Sequence, residues 1–296
     1  MNTGIAGAIT ETPDEAAPGL RSGKALRRFL ANPLSVAGAC YLLLLIAVAL
    51  LAPFLTPYDP ITTDPINAFA PPSSEHWLGT DEVGRDVLTR LIFGARTSLA
   101  VGFLVMVLGV VTGTILGSLS GYYRGWVDSV IMRFTDAVMA IPLFFLLLSV
   151  LALFGTSPQA VIVVLGLTSW MGVARVVRSE FIRWREATFV EAASALGARA
   201  RRIMLIHVLP QAIPSIIVAA TLAVGIAILN ESALSFLGLG IQPPQPTWGN
   251  MLMNSQQYIW TSPQLALYPG IVILLSVLSF NFVGDGLRDA LDPTSR

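Results

Sequence analysis

Glu191-Ala192-Ala193-Ser194-Ala195-Leu196-Gly197-Ala198-Arg199-Ala200-Arg201-Arg202 lies between two long apolar runs, Ala160–Val177 and Ala212–Asn230, and its stretch closes on Leu209-Pro210. A helix needs about 20 apolar residues to cross a hydrocarbon core of about 30 Å, and both flanking runs come close to that. The charged interval therefore joins two membrane spans. Its sequence predicts a short helix, a chain reversal at Gly197 and a second, arginine-rich helix running to Pro210. Such a unit is what a membrane protein needs in order to be pushed by a soluble partner.

Working outward, four further stretches have the same character: Leu34–Leu55, Leu99–Leu119, Ala137–Phe154 and Leu265–Val283. Over its 296 residues the chain is 54% hydrophobic and 12% charged, against about 25% charged in soluble domains. The fold expected is all-α, a polytopic membrane protein of six transmembrane helices in the lipid bilayer. Of the 18 cationic side chains, all but Arg85, Arg90 and Arg96 fall on one side of that arrangement. By the positive-inside rule that side is the cytoplasm, so both termini and the Glu191 segment are expected there. The loop after the first span is acidic, with Asp59, Asp64, Glu75, Asp81, Glu82 and Asp86, while the opposite-face loop Leu237–Ala266 has no charge.

Several function classes find no support. Net charge is zero, so there is no basic footprint for nucleic acid. Cys40 is the single cysteine and His76 and His207 stand far apart, which leaves no disulfide and no evident metal or cofactor site. The pair Gly23-Lys24 lacks the leading glycine and the trailing hydroxyl residue of a phosphate loop, so any ATPase acting with this chain is a separate chain. No nucleophile–base pair marks it as an enzyme.

Some residues allow two readings. Thr188, with Glu191 three positions on, matches a capping box, and the helix so started would present Phe189, Val190, Ala193 and Leu196. That helix could lie on anionic lipid through its arginines or plug a cleft on a partner. Asp136 reads either as the i,i+3 partner of Arg133 or as a pathway carboxylate. Glu231, placed just past the fifth span, is either a gate or pathway group or a helix-end carboxylate reaching water. Gly109, Gly113, Gly117 and Gly121 repeat at small-xxx-small spacing, for packing inside the chain or for a dimer seam. Trp248, Tyr258 and Trp260, in the proline-rich stretch 241–267, suggest a piece at headgroup level or an external docking surface.

Glu191-Ala192-Ala193-x3-Gly197-x9-His207-x-Leu209-Pro210 resembles the EAA loop of binding-protein-dependent ABC importer permeases. The usual pattern has an isoleucine at the place of His207, and histidine there is similar to the peptide-transporter branch. Three more stretches resemble that branch: His76–Asp86, reading HWLGTDEVGRD; Leu234–Gly240 with Pro243-Pro244 and Trp248-Gly249; and Asn281–Pro293. Together they cover about residues 29–293. The closest type is the C-type permease of dipeptide/oligopeptide (peptide/nickel) importers.

The resemblance implies type I ABC importer architecture in a bacterial inner membrane. It divides the chain into a disordered, basic-ended tail (1–28), a first span with outer loop (29–82) and a core permease domain (83–296) holding the coupling loop at about 186–210. Its implied partners are a second homologous permease, two cytoplasmic ATP-binding subunits and an extracytoplasmic substrate-binding protein. The implied coupling residues are Thr188, Glu191, Ala192, Ala193, Leu196, Gly197, Leu209 and Pro210, with Glu191 orienting the helix. The implied cargo is a peptide, with a nickel chelate or another small solute as the alternative. A stand-alone secondary transporter would want polar breaks at mid-span, and these spans are nearly free of them.

Overall fold

The computed structural model describes residues 18–155 and 157–291. In chain order its helices are α1 (Pro18–Ala31), α2 (Pro33–Leu55), α3 (Val87–Tyr123), α4 (Gly125–Met139), α5 (Leu143–Phe154), α6 (Pro158–Arg185), α7 (Thr188–Ala195), α8 (Ala200–Phe236), α9 (Trp248–Ser255) and α10 (Gln264–Leu291). Among the described residues the only extended pairing is a bridge between Thr80 and Asp86. The all-helical expectation holds.

Among the described residues five helices (α2, α3, α6, α8 and α10) are long and apolar enough to cross a membrane, or six crossings if the bent pair α4–α5, which is apolar enough only when taken together, is one broken span rather than a re-entrant loop. That pair corrects the expected third span. Ala137–Phe154 is not one helix: α4 and α5 meet at 84°. Pro142 has no N–H to continue the helical ladder and pushes Ile141 before it toward extended backbone. The last turn of α4 closes instead on Ala140 N–H to Asp136 C=O, 2.9 Å, and Ile141 N–H to Val138 C=O, 3.2 Å.

The tail expected over residues 1–28 needs correction as well. Residues 1–17 lie outside the described ones, but from Pro18 the chain is helical. Phe29, near the end of α1, reaches the backbone of Gly286 in α10, so the segment has a surface to pack on. Asn32 then caps α2 by accepting from the Leu34 and Ser35 N–H groups, with Pro33 at the first position, where no donor is needed.

α3 and α6 form the centre of the bundle. The four glycines of α3 face α6 so closely that a Cβ at Gly113 would stand 2.7 Å from the Trp170 carbonyl, at Gly117 2.5 Å from that of Ala174, and at Gly121 2.6 Å from Phe181 Cβ. The small-residue repeat thus serves packing within the chain. Without side chains there, backbones approach and dispersion contacts replace lipid contacts. α8 lies against both helices through Val224, Ala227 and Ile228. On the other flank α2 pairs with α10, where Ser35 Oγ donates to the Phe282 carbonyl at 3.0 Å. The bundle therefore has two ends: one with α7 and the α3–α4 junction, the Glu191 end, and one with the loop after α2 and with α9, the Trp248 end.

Candidate functional site

At the Glu191 end, α7 begins and stops within eight residues. Its N-cap is Ala187, which offers no side-chain cap, and Thr188 is the first helical residue. The capping box expected at Thr188 is absent, because the backbone leaves the helix one residue earlier and the Glu191 N–H bonds to the Ala187 carbonyl at 3.2 Å. Glu191 still lies in the first turn, where a carboxylate suits the helix dipole. The stop is a Schellman turn: Gly197 N–H reaches the Ser194 carbonyl at 2.9 Å and Ala198 N–H the Ala193 carbonyl at 3.0 Å. Gly197 sits at φ +81°, a conformation that side chains disfavour.

The four apolar residues of this segment divide by direction. Val190 is buried among Val177 and Phe181 of α6 and Ile203, Met204 and Val208 of α8. It thus ties the short helix to both spans that flank it. Leu196 points the other way and is 89% exposed, with Phe189 half-exposed beside Trp184. Ala193 is half-buried. Glu191 and Ala192 are exposed, and Val190 is the residue through which α7 packs on the bundle.

The second helix does not end at Pro210. α8 runs on through Leu209-Pro210 to Phe236, with Ile203–Val208 wound as a π-helix. Leu209 N–H bonds five residues back to the Met204 carbonyl. Pro210 lacks an N–H and its ring crowds the carbonyl four residues before it. A π-turn at that point widens the helix and lets it pass the proline.

Beside α7 the structure assembles ion pairs that the sequence spacing did not reveal. Asp128 of α4 takes a fork from Arg178 of α6, both N···O distances 2.6 Å, and accepts from Ser120 Oγ of α3. Arg178 pulls the Asp128 contact together across 50 residues of sequence, which i,i+4 reasoning cannot find. Asp136 pairs with Arg175 of α6 at 2.5 Å, not with Arg133. Asp136 lies on α4 and Arg175 on a different helix, and both are about half-exposed. Arg124, at the α3–α4 junction, holds Glu186 at 2.8 Å and donates to the Ile182 carbonyl at 3.1 Å.

At the Trp248 end the polar groups turn inward. Glu231 does not reach water; it is wholly buried on α8 and accepts from Ser235 Oγ at 2.7 Å, while Oε2 finds no hydrogen-bond partner among the described residues. Above it sits α9, capped by Thr247 and Asn250 in a reciprocal box. Gly249 passes so close to Ser232 and Ser235 that no side chain would fit. Trp248 is no headgroup anchor: it is fully buried, and its Nε1–H reaches the Leu91 carbonyl of α3 at 3.2 Å. Trp260 is exposed. The stretch His76–Asp86 closes a knot over the start of α3. Arg85 pairs with Asp81 at 2.6 Å and with Glu82 at 2.9 Å, Arg90 approaches Asp81 at 3.4 Å, and Asp86 caps α3.

This bundle matches known proteins along most of its length. The family described as "Binding-protein-dependent transport system inner membrane component" matches residues 113–296, and the one described as "N-terminal TM domain of oligopeptide transport permease C" matches residues 22–72. A dipeptide transport system permease protein of Alkalihalophilus pseudofirmus is 43% identical over 91% of this chain and 89% of its own. A glutathione transport system permease protein of Pectobacterium atrosepticum is 42% identical over 90% and 89%. Among solved structures, an inward-facing conformation of the MetNI methionine ABC transporter shares the fold, with a TM-score of 0.58 at 21% identity over 69% of this chain and 97% of that one. The fold is thus one seen in a solved ABC transporter, and the chain is a member of the binding-protein-dependent transport system inner membrane component family.

Proposed function

We propose that this chain is one of two homologous permease halves of an ATP-driven importer that moves dipeptides or oligopeptides inward. The supporting relatives carry dipeptide and glutathione transport in their names. The Glu191 end and both termini face the cytoplasm, the side that collects the cationic residues. An external binding protein delivers cargo at the Trp248 end, and two cytoplasmic ATPases supply the work, so hydrolysis is no task of this chain.

The observation that carries this reading is the two-faced α7. Leu196 and Glu191 point away from the chain, with Phe189 half-exposed beside Trp184, as a plug for a cleft on each ATPase requires. Val190 points back between α6 and α8. A push on α7 therefore reaches two spans at once. Thr188, Ala192 and Ala193 form the short helix, Gly197 turns it, and Leu209-Pro210 passes the motion into the long helix. Asp136 belongs to the cytoplasmic side of the pathway, and Glu231, buried beneath α9, to its outer gate. ATP shifts the equilibrium between inward-open and outward-open states only through its differential affinity for them.

The test is to purify the tagged chain in mild detergent, identify what comes with it, and reconstitute the complex in liposomes. Recovery of a second permease and ATPases, with ATP-dependent dipeptide uptake, is expected. Gly197→Val should still insert but lose about tenfold in uptake per ATP hydrolysed, within the usual range of coupling energies. A chain recovered alone, or uptake that ignores ATP, would sink the reading.

A further inference from the structure

We propose that the Asp128–Arg178 and Asp136–Arg175 bridges form a two-point clamp that fastens α4 to α6, the helix that leads into the coupling segment, making these four side chains positioning residues for transport. The inference rests on the reading that α7 receives the motion of the ATPases.

On α6, positions 175, 178, 182 and 186 fall on one stripe of the helix, and all four hold α4 or the α3–α4 junction. Arg175 and Arg178 take the two aspartates, and the Ile182 carbonyl and Glu186 take Arg124. The stripe ends at Glu186, two residues before α7 begins. It thus runs from the coupling helix to Asp136, four residues before the break at Ala140. Phe134 stacks parallel to Trp170 of α6 within the same span, 9° apart in plane.

α5, on the far side of the break, is held differently. Its 12 residues hold no charge, and it is seated by Leu147 and Leu151 among Val161 and Leu165 of α6 and Val101 and Val105 of α3. Forked, charge-assisted bonds fix direction as well as distance, whereas apolar contacts allow sliding. A push arriving at α7 therefore carries α4 with α6, and the joint at Ala140–Pro142 is where α5 parts from that body. The coupling runs through a continuous physical chain from α7 to the joint, which is what transmission between distant sites needs.

The clamp is tested in the complete reconstituted complex by peptide moved per ATP hydrolysed. Asp128→Asn should lower that ratio about tenfold and Asp136→Asn about threefold, both within the range seen for residues that couple sites. The exchange Asp128→Arg with Arg178→Asp should recover a large part of the loss, and the yield of assembled complex should be the same in all three variants, whereas a merely structural role would lower the yield and leave the ratio of the surviving complex unchanged. Ratios unchanged in both single variants overturn the proposal, as does an exchange no better than Asp128→Asn alone. If the unmodified complex moves no peptide, the function reading fails on its own. The clamp is then judged by spin labels at Val130→Cys and Ser179→Cys, with Cys40→Ser. Their distance distribution should broaden in Asp128→Asn and sharpen again in the exchange, and no change would overturn it.

Discussion

At the Trp248 end the charged groups of the loop face one another: Asp81, Arg85, Arg90 and Asp86 are all buried and paired, and Trp248 fills the space between α3 and α9. At the Glu191 end the same residue types lie half in water, and the largest apolar side chain of the turn, Leu196, has nothing over it. Buried charge is tolerated only when paired and hydrogen-bonded, so the first end has its geometry fixed by its own chain. The second leaves surface for another chain to complete. Rigidity at the end that would meet cargo, and availability at the end that would meet the ATPases, follow from where the polar groups find their partners.

One substitution made at both ends puts this difference to a sharp test. Gly84 and Gly197 have nearly the same backbone, φ +82° and +81°. A Cβ at Gly84 would overlap the Asp64 carbonyl, whereas at Gly197 no atom stands within 4 Å. Gly84→Val therefore meets both backbone strain and a backbone clash, and should cost up to about 6 kcal/mol, enough to unfold the loop over α3. Trp248→Ala comes next, losing a fully buried indole and its bond to Leu91, at about 3–5 kcal/mol. Gly197→Val meets strain alone, about 1–3 kcal/mol. Thermal unfolding of the detergent-solubilised chain should rank the three in that order. A Gly197→Val as damaging as Gly84→Val would mean that the Glu191 end is as closed on itself as the other.

What could be read in advance follows from the range of the interaction. The long helices were legible because lipid demands a run of apolar residues for each crossing. The Gly197 turn was legible because a local glycine rule governs it. The 84° joint was missed although Pro142 marks it, since a single proline inside an apolar run is tolerated in membrane helices and hydropathy does not report direction. Of the two readings of Asp136, the pair with Arg133 fails because only sequence neighbours are visible to i,i+3 reasoning; its partner Arg175 comes from another helix. For Glu231 the helix-end reading arises because the apolar run stops there. α8 in fact continues to Phe236 and the uncharged loop folds back as α9 to cover it. Thr188 shows the smallest error of this kind, a cap displaced by one residue.

The finest probe of the comparison is a change that ought to leave the chain alone untouched. Leu196 is 89% exposed at the C-cap of α7 and belongs to no apolar cluster. Leu196→Ser removes no buried contact, so the stability of the isolated chain should shift by no more than about 0.5 kcal/mol, as for surface positions in general. If Leu196 fills a cleft on an ATPase, the same change removes an anchor side chain from an interface, where such losses exceed about 1 kcal/mol at the positions that matter. Association with the ATPases should then weaken by about tenfold or more while unfolding of the chain stays put. Val190→Ser is the control of opposite sign: it lies near the start of the same short helix but points inward, so it should lower the stability of the chain itself. A Leu196→Ser that destabilises the isolated chain would show that α7 closes on its own bundle, and the contrast between the two ends would fail at the one place where it is most exposed to measurement.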